Sequence, residues 1–451
     1  MKTVFISILQ GVEARNILRT DIFRILSKYE DAKIVLLVPS KYKFDHYKKE
    51  FPETNRLKYE IINNYQKTFL DKPFSLFKVY LLKTETMDIK RRLRLLKDRN
   101  YFRYYISYIF NRVVSRRFIR RAIRFLDEYI VWDNNFKKLF DKYNPDLVFL
   151  AHLFGDEEIS ILREAKKRGV KSIGFVISWD KLTSRNIIRI LPDRLIVPND
   201  INKEEAIKYQ NVPEDIIFVG GGPQFDIYQE TDFSSKEEFC RQLGIDPSKK
   251  IILFCPMGRS FSGSDRRTID LLEDFYNKKR FDENVHFIVR FPPNDSVDIS
   301  NFDNKNFSIQ SPGVRFSAAR GVDWDMTFND LNLLANTIYH SSLVISGPST
   351  MFIDAAILDK PIIGINFGAS GIFSINGKFP YYKFTHLENV VKLNGVSIAE
   401  DSEELLNLIN LYLTSPQNNK KERSLIVKEQ VGDPVYLSGK KIADFIISNI
   451  K

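Results

Sequence analysis

The sequence predicts an α/β protein built from two facing Rossmann-like domains, each with a doubly wound parallel sheet of the GT-B type. Short, β-branched apolar runs alternate with helical patterns along the whole chain, as parallel strands covered on both faces require. About ten such runs are present, which is too many for one ordinary doubly wound sheet. The length of 451 residues allows two or three domains.

The predicted strands are four to seven residues long and share an apolar character. They are Val4–Leu9, Ile34–Val38, Leu147–Ala151, Ser172–Ser178, Arg194–Val197, Ile216–Val219, Ile251–Cys255, Val285–Arg290, Leu343–Ser346 and Ile362–Ile365.

Charge and capping signals place helices between these strands. Acidic residues from Asp156 onward begin one helix, and basic residues followed by Gly169 end it, as the helix dipole favours. Ser235 and Thr327 each begin a capping box, which predicts two further helix starts. Gly244 is the expected end of the helix that begins after Ser235.

A run of small and polar residues at 220–226 predicts the boundary between the domains. We expect a first domain over residues 1–230, with a basic, aromatic helical insertion around 78–130, and a second domain over 231–430. Residues 431–451 are predicted to form a C-terminal helix that packs back toward the first domain.

Composition favours a reduced compartment. The two cysteines, Cys240 and Cys255, have no metal-ligand spacing and fit buried apolar positions. The N-terminal apolar run is too short for a secretory signal, and no run of about 18 apolar residues predicts a membrane span. A cytoplasmic location is therefore expected.

Much of the net charge of +11 lies between Lys90 and Arg124, where thirteen Lys or Arg residues accompany one acid, Asp98. Aromatic residues are interleaved with these charges, which suits an anionic membrane surface at the inner face of the cell membrane. Two alternatives remain. One is a pair of solvated helices whose aromatic side chains face the core, and the other, less favoured, is a nucleic-acid surface.

Three loops that follow strands in the second half carry small residues and arginines, which suit nucleotide or phosphate binding. No Walker motif or Gly-x-Gly-x-x-Gly follows a strand, and no cluster has metal-ligand spacing, so neither a metal nor another cofactor is expected. Each loop could instead only pack. The candidate binding residues are Gly258, Arg259, Ser260, Arg290, Ser346, Gly347, Pro348, Ser349, Thr350 and Asp354.

Loops after strands in the first half carry the candidates for proton transfer. Asp180 lies beside Trp179, whose bulk could exclude water, and Glu13 follows the first strand. His152 and Asp156 follow the strand at Leu147–Ala151. A helix cap or a loop ion pair is the alternative role of each, and Asp156 is well placed as a helix N-terminal acid.

The segment from Phe328 through Ser346–Thr350 to Asp354 and Pro361 is similar to the diphosphate-binding region of two families. These are the non-hydrolysing UDP-N-acetylglucosamine 2-epimerases and the CDP-glycerol glycerophosphotransferases of teichoic acid synthesis. In both, a small-residue turn precedes a helix that carries an acid, and a basic residue followed by proline begins the next strand. Where the glycerophosphotransferases place Trp-His-Gly, this chain has Trp179-Asp180-Lys181.

The resemblance implies a GT-B glycosyltransferase that moves a sugar from a nucleotide-sugar donor to a carbohydrate or lipid-linked acceptor, without a metal and with inversion. The donor diphosphate would lie on the turn Gly347–Thr350, with Asp180 or Glu13 as the base. Three alternatives are a nucleotide-sugar 2-epimerase, a polyol-phosphate transferase of the CDP-glycerol type, and a non-enzymatic lipid- or nucleic-acid-binding module.

Overall fold

The computed structural model describes residues 1–63, 65–299, 302, 305–316, 323–369, 374–432 and 436–450. The chain divides into two compact units, and the main division falls between Asp226 and Ile227. The first unit comprises Met1–Arg91, Asn100–Asp226 and Pro434–Lys451, and the second comprises Arg92–Arg99 and Ile227–Asp433.

The first unit contains a seven-stranded sheet in the order β3-β2-β1-β4-β5-β6-β7, in which every neighbouring pair is parallel. The chain moves outward from β1 to β3 and then returns to place β4 on the other side of β1. The strand order therefore reverses between β1 and β4, where open α/β sheets bind ligands. The strands are β1 (Lys2–Ser7), β2 (Ala32–Val38), β3 (Leu57–Ile61), β4 (Leu147–Leu150), β5 (Lys171–Phe175), β6 (Arg194–Val197) and β7 (Ile217–Val219).

Helices cover both faces of this sheet. Val4 and Ile6 of β1 enter one apolar core, while Phe5 enters the core on the opposite face, as the two-residue period of a strand requires. The helices are α1 (Gly11–Glu13), α2 (Asp21–Leu26), α3 (Lys41–Glu50), α4 (Asp71–Phe77), α5 (Glu85–Asp98), α6 (Tyr101–Val114), α7 (Arg117–Ile130), α8 (Lys137–Tyr143), α9 (Asp156–Lys167), α10 (Lys181–Ser184) and α11 (Asp200–Gln210), with a π-helical turn at Ala14–Leu18 and 3-10 turns at Glu214–Ile216 and Pro223–Phe225.

The C-terminal helix α20 (Ser438–Ile450) belongs to the first unit. Ile442 and Ile446 enter the same core as Val4, so the end of the chain completes the packing around the beginning. The carboxylate of Asp226 accepts hydrogen bonds from the backbone N–H of Ser438 (3.2 Å) and Gly439 (2.7 Å). This contact satisfies orphan donors at the helix N-terminus.

The second unit contains a six-stranded parallel sheet in the order β10-β9-β8-β13-β14-β15, and its order reverses between β8 and β13. A two-stranded antiparallel ribbon, β11 with β12, accompanies it. The strands are β8 (Lys250–Cys255), β9 (Val285–Arg290), β10 (Phe307–Gln310), β11 (Val314–Arg315), β12 (Trp324–Asp325), β13 (Leu343–Ser346), β14 (Ile362–Ile365) and β15 (Ser397–Ala399). The helices are α12 (Ile227–Glu230), α13 (Lys236–Leu243), α14 (Asp265–Asn277), α15 (Phe328–His340), α16 (Met351–Ile357), α17 (Thr385–Val391), α18 (Ser402–Thr414) and α19 (Lys420–Gln430), with a 3-10 turn at Pro380–Lys383.

The predicted fold class is confirmed: two α/β domains with parallel sheets are present. Each predicted apolar run contains a strand. The sequence missed β3, β10 and β15, which are sheet edges, and the short ribbon β11–β12. Edge strands are less buried and therefore less apolar, which removes the signal on which the prediction depends.

The insertion helix α7 turns its polar side inward. Its buried residues are Arg120, Arg124 and Asp127, whereas Phe125 and Tyr129 are about two-thirds exposed, at 62% and 63%. The alternative in which the aromatic side chains of the basic block face the core is wrong for this helix. None of the described helices is long and apolar enough to cross a bilayer.

Four buried charged side chains hold the insertion against the first sheet's helices. Asp127 of α7 accepts hydrogen bonds from Arg163 Nη2 (2.6 Å) and Arg189 Nε (2.7 Å). Asp71 of α4 accepts from the same two guanidinium groups, at 2.7 and 2.8 Å. Two acids and two arginines thus join α4, α7, α9 and the segment before β6 in one network.

Candidate active site

Glu13 lies where the strand order of the first sheet reverses. It ends the short helix α1 after β1, and its side chain is fully buried. Its Oε2 accepts hydrogen bonds from the backbone N–H of Leu9 (2.5 Å) and Gln10 (3.2 Å). Its Oε1 is buried without a hydrogen-bond partner among the residues that the structure describes.

His152 and Glu158 meet Glu13 at this position. His152 follows β4, Glu158 lies in the first turn of α9, and His152 Nδ1 is 3.8 Å from Glu158 Oε1. In the described part of the chain, neither of these two atoms has a hydrogen-bond partner. One ligand atom from each of the three side chains lies within 4.8 Å of the others. We call Glu13, His152 and Glu158 the buried triad.

Burial dominates the electrostatics of the buried triad. It raises the pKa of Glu13 to about 7 and that of Glu158 well above its ordinary value, and it lowers the pKa of His152 well below its ordinary value. Lys181 partly opposes the effect on Glu13. Burial therefore disfavours the charged form of each of the three side chains.

The spacing of the buried triad would allow it to ligate a metal ion. Lys181 and Arg185 both place positive charge next to His152, which is unfavourable to a divalent cation. That no metal is used stays a prediction.

The raised pKa of Glu13 predicts a pH-dependent contribution to stability. Because the folded-state pKa exceeds the ordinary 4.5, the contribution is present below pH 4.5 and is lost as the pH rises toward about 7. Glu13→Gln cannot ionise. We expect the variant to gain about 1–3 kcal/mol of unfolding free energy relative to the parent between pH 4.5 and about pH 8, in denaturant titrations.

The exposed Glu204→Gln substitution on α11 is the matched control, and it should show no such gain. Equal pH profiles for Glu13→Gln and the parent protein would contradict the prediction.

Asp180 lies between β5 and α10, beside the buried triad. Its carboxylate accepts hydrogen bonds from the hydroxyls of Ser178 (2.6 Å) and Ser184 (2.9 Å), and it is half-buried. The ammonium of Lys90 donates to the Ser184 carbonyl, and burial lowers the pKa of Lys90 to about 8. Asp180 is thus held in a defined orientation by two hydroxyls and lies within the field of Lys90.

Asp156 stands apart from this group. Its carboxylate pairs with Lys67 (2.6 Å) and Lys78 (2.9 Å) in the first turn of α9. Burial alone would raise the pKa of Asp156, but these two partners lower it to about 2. The structure brings Glu13 and His152 together, with Asp180 nearby, and leaves Asp156 in ion pairs.

The loop after β8 follows the point where the second sheet reverses its strand order. Gly258 has φ +86°, and a Cβ there would lie 2.7 Å from the side chain of Asp295. The backbone N–H of Gly258 donates to Asp265 (2.8 Å), that of Ser260 to Asp295 (3.1 Å) and that of Arg259 to the Ser296 carbonyl (3.2 Å).

The backbone amides of this candidate phosphate-binding loop therefore already donate to acceptors inside the protein. The guanidinium group of Arg259 is exposed and is the part of the loop best placed to contact an anion.

The last residue of β13 and the turn after it are five of the candidate binding residues. The hydroxyl of Ser346 donates to the Cys255 carbonyl (3.0 Å) and lies 2.9 Å from the hydroxyl of Ser349. The Ser349 hydroxyl also accepts from the backbone N–H of Met351 (3.3 Å), the first residue of α16. The other members of the turn are Gly347, Pro348 and Thr350.

Asp354 and Arg290 already have partners inside the second unit. The hydroxyl of Tyr228 donates to Asp354 (2.7 Å). Arg290 is buried and donates to Gln310 Oε1 (2.7 Å) and to the Asp330 carbonyl (3.1 Å), and burial lowers its pKa. Arg290 thus holds neighbouring segments of the second unit together from a buried position, whereas Arg259 is exposed.

The sequence missed four ionisable residues that the structure places near the candidate residues. Glu158 had a readable signal, because it continues the apolar stripe of Leu162 and Ala165 at helical spacing. Lys181, Glu205 and Asp265 are buried at positions where the local pattern of charged and polar residues gives no such signal. Burial raises the pKa of Glu205 to about 8 and that of Asp265 to about 6.

Residues 184–369 match the family described as CDP-Glycerol:Poly(glycerophosphate) glycerophosphotransferase. A search of curated protein sequences finds no significant match.

Solved structures match over almost the whole chain. A UDP-GlcNAc 2-epimerase from Methanocaldococcus jannaschii superposes with a TM-score of 0.56 at 14% identity, covering 99% of this chain and 100% of that one. The chain has the GT-B fold. The UDP-GlcNAc 2-epimerase from Neisseria meningitidis bound to UDP-GlcNAc superposes with a TM-score of 0.56 at 10% identity, covering 100% of this chain and 99% of that one.

This GT-B chain also superposes on the wall teichoic acid polymerase TagF, soaked with CDPG. The TM-score is 0.52 at 14% identity, covering 100% of this chain and 88% of that one. The resemblance inferred from the sequence, to the epimerases and to the glycerophosphotransferases, is therefore confirmed. The family match begins after Asp180, so it includes all the candidate binding residues of the second unit and none of the candidate bases.

Proposed function

We propose that this GT-B chain is a transferase that moves a polyol phosphate or a sugar from a nucleotide-linked donor to an acceptor hydroxyl. The family match over residues 184–369 supports it most strongly, because that range contains Arg259, Ser346–Thr350 and Asp354. The matched family transfers glycerophosphate, which favours a polyol phosphate. A sugar donor is the second candidate, favoured by the carboxylate of Asp180 at the expected position of the base.

The donor contacts are assigned to side chains at the carboxyl edge of the second sheet. Arg259 would bind the donor diphosphate, and the hydroxyls of Ser349 and Thr350 would accept or donate hydrogen bonds beside it. Asp354, oriented by Tyr228, would hold a hydroxyl of the ribose or of the transferred group. Hydrogen bonds and the guanidinium charge would stabilise the leaving nucleotide, so no metal is required.

The transfer step needs one base. The acceptor oxygen attacks the phosphorus of a polyol-phosphate donor or the anomeric carbon of a sugar donor, and the bond to the nucleotide oxygen breaks. The acceptor proton passes to Asp180, with Glu13 as the alternative, and the nucleotide leaves with the bonding electron pair. For a sugar, direct displacement inverts the anomeric configuration.

The acceptor is proposed to be a carbohydrate or lipid-linked polymer of the cell envelope, reached from the cytoplasmic face of an anionic membrane. Exposed arginines and aromatic side chains on α6 and α7 support this location. Nucleic acid is not the expected partner.

Product analysis tests the function. The chain is incubated with CDP-glycerol or with UDP-sugars, each with and without a glycerol-phosphate or glycan acceptor, and released CMP or UDP is measured. Acceptor-dependent CMP release supports polyol-phosphate transfer, and acceptor-dependent UDP release supports glycosyl transfer. Isomerisation of UDP-GlcNAc without an acceptor would assign epimerase activity, and absence of nucleotide binding in a thermal-shift screen would leave a binding module.

Arg259→Ala tests the donor site. Loss of one charge-assisted hydrogen-bonding group should weaken nucleoside diphosphate binding by about 10- to 100-fold in calorimetric titration. The exposed Arg267→Ala on α14 is the matched control and should bind as the parent does. Unchanged affinity in Arg259→Ala, together with unchanged affinity in Ser349→Ala/Thr350→Ala, would place the donor elsewhere.

A further inference from the structure

Helix α7 has the reverse of the usual amphipathic arrangement. A surface helix normally buries its apolar stripe and exposes its charges. In α7, Arg124 donates to the carbonyls of Ile188 (2.8 Å) and Gln210 (2.5 Å), and Asp127 lies in the ion network described above. The exposed side carries Phe118, Phe125, Leu126, Tyr129 and Ile130.

Helix α6 continues this apolar surface. Its one buried residue is Asn111, which donates to the Leu82 carbonyl (2.9 Å). Its exposed apolar residues recur at helical spacing along about 20 Å of helix. They are Tyr101, Phe102, Tyr105, Ile106, Ile109 and Val113. Polar contacts attach both helices, together with apolar contacts of Val114, Ile119 and Ile123 against a small buried cluster. The exposed apolar side chains of both helices face outward.

A cavity of about 540 Å³ opens on α7. Three arginines line it, Arg117, Arg121 and Arg124, together with Glu128 and the rings of Phe125 and Tyr129. Residues of the first unit after β5 form the opposite wall. We call this the α7 pocket.

The α7 pocket has an excess of positive charge. Within the described part of the chain, none of the three arginines forms an ion pair with a carboxylate, and Glu128 is 3.9 Å from Lys166. Arg124 is 8% exposed, and burial lowers its pKa to about 9, with Arg120 adding to the effect. The two carbonyls that accept from Arg124 carry no net charge, so an anion bound in the pocket would further stabilise this buried guanidinium group.

We propose that the α7 pocket binds the phosphate of an anionic lipid while the apolar side of α6 and α7 enters the membrane interface. Guanidinium groups match a phosphate, and tyrosine and phenylalanine beside them are typical of surfaces that lie in the headgroup region. The inference rests on the proposed function only for the membrane location of the acceptor. Beyond a general attraction of basic residues to an anionic membrane, the inference specifies a binding site for the lipid phosphate and an apolar surface that enters the membrane interface.

Vesicle sedimentation with the full chain tests the site. The parent should bind vesicles of phosphatidylglycerol and phosphatidylcholine more tightly than vesicles of phosphatidylcholine alone. Arg117→Gln/Arg121→Gln should lower the partition coefficient for the anionic vesicles by roughly tenfold or more. Phe125→Ser/Tyr129→Ser should lower binding to both vesicle types, because the rings contribute apolar area at either surface.

Two control pairs carry the same chemical changes elsewhere on the surface. Arg241→Gln/Arg267→Gln removes the same charge from the second unit, and Tyr42→Ser/Leu425→Ser removes exposed apolar groups; both should bind vesicles as the parent does. Inorganic phosphate at the same phosphate concentration should not displace the parent from vesicles. Displacement would assign the pocket to a soluble anion.

Four results would overturn the inference. They are equal binding of the parent to the two vesicle types, parent-like binding by the pocket variants, tighter binding to duplex DNA than to anionic vesicles, and a dimer that dissociates in Phe125→Ser/Tyr129→Ser. Nucleotide affinity is measured on the same samples. Lipid binding without nucleotide binding would refute the proposed transferase and leave the α7 pocket supported.

Discussion

Asp180→Asn is expected to lower the turnover of the nucleotide-linked donor by about 10²–10⁴-fold. An amide cannot take the acceptor proton, and removal of a general base typically has an effect of that size. The two hydroxyls donate to different carboxylate oxygens; in the amide one of them can still donate to the oxygen while the other accepts from the NH2 group, so the fold should persist. The rate is measured as acceptor-dependent nucleotide release, and nucleotide affinity is measured separately by calorimetry.

Two further variants complete this experiment. The exposed Asp200→Asn at the start of α11 should retain parent turnover. If Asp180→Asn is active while Glu13→Gln is not, the base is Glu13, whose pKa of about 7 suits proton transfer near neutral pH. Parent-like turnover in both would show that neither carboxylate takes the proton.

Asp127→Ala is expected to lower the free energy of unfolding by about 3–5 kcal/mol. Asp127 is the shared acceptor of Arg163 and Arg189, and all three side chains are nearly inaccessible to solvent. Removing Asp127 takes away the closest acid of both guanidinium groups and leaves them to share Asp71, with Asp133 beside Arg163 and Asp156 beside Arg189. Breaking a buried ion pair typically has this cost.

Urea denaturation of the full chain measures the effect of Asp127→Ala. Asp141→Ala is the matched control, because Asp141 pairs with Arg168 at the surface and such pairs contribute about 0–1 kcal/mol. A loss in Asp127→Ala no larger than that in Asp141→Ala would show that the network does not stabilise the insertion.

The sheets could be predicted from the sequence because their central strands are buried on both faces. Val4–Ile6 and Leu343–Ile345 consist only of apolar residues, and composition alone identifies them as strands. The strand β3 alternates apolar Leu57 and Tyr59 with Lys58 and Glu60, so it carries no continuous apolar run. Its place at the sheet edge follows from tertiary pairing with β2, which a local pattern does not encode.

Positions after strands predicted where Glu13, His152 and Asp180 would lie, because carboxyl ends of parallel strands meet at one sheet edge. Their environments could not be predicted. Glu158 follows two other acids at a helix start, and that pattern also serves the helix dipole. The helical spacing of Glu158 with Leu162 and Ala165 indicates that this acid turns inward, whereas its position beside Glu13 and His152 depends on the packing of α9.

The basic block was recognised by composition, but its orientation was not. Arg120 and Arg124 are buried because Tyr209, Ile188 and Gln210 offer backbone carbonyls from about 60 to 90 residues away in sequence. The amphipathic pattern of α7 would predict that its apolar side faces the core, because that argument assumes that water surrounds the protein. The exposed rings of α7 are therefore a property of the tertiary structure.

The ion pairs that attach α7 determine how firmly the helix stays attached when lipid acyl chains surround its exposed side. Apolar contacts between a helix and its protein stabilise little once lipid tails replace water around the helix, because the tails are as apolar as the side chains. Coulombic attraction between Asp127 and its two guanidinium partners grows as the surrounding dielectric constant falls. Contact with acyl chains would thus weaken the apolar contacts of Ile119 and Ile123 but not the ion pairs of Asp127, which would keep α7 attached.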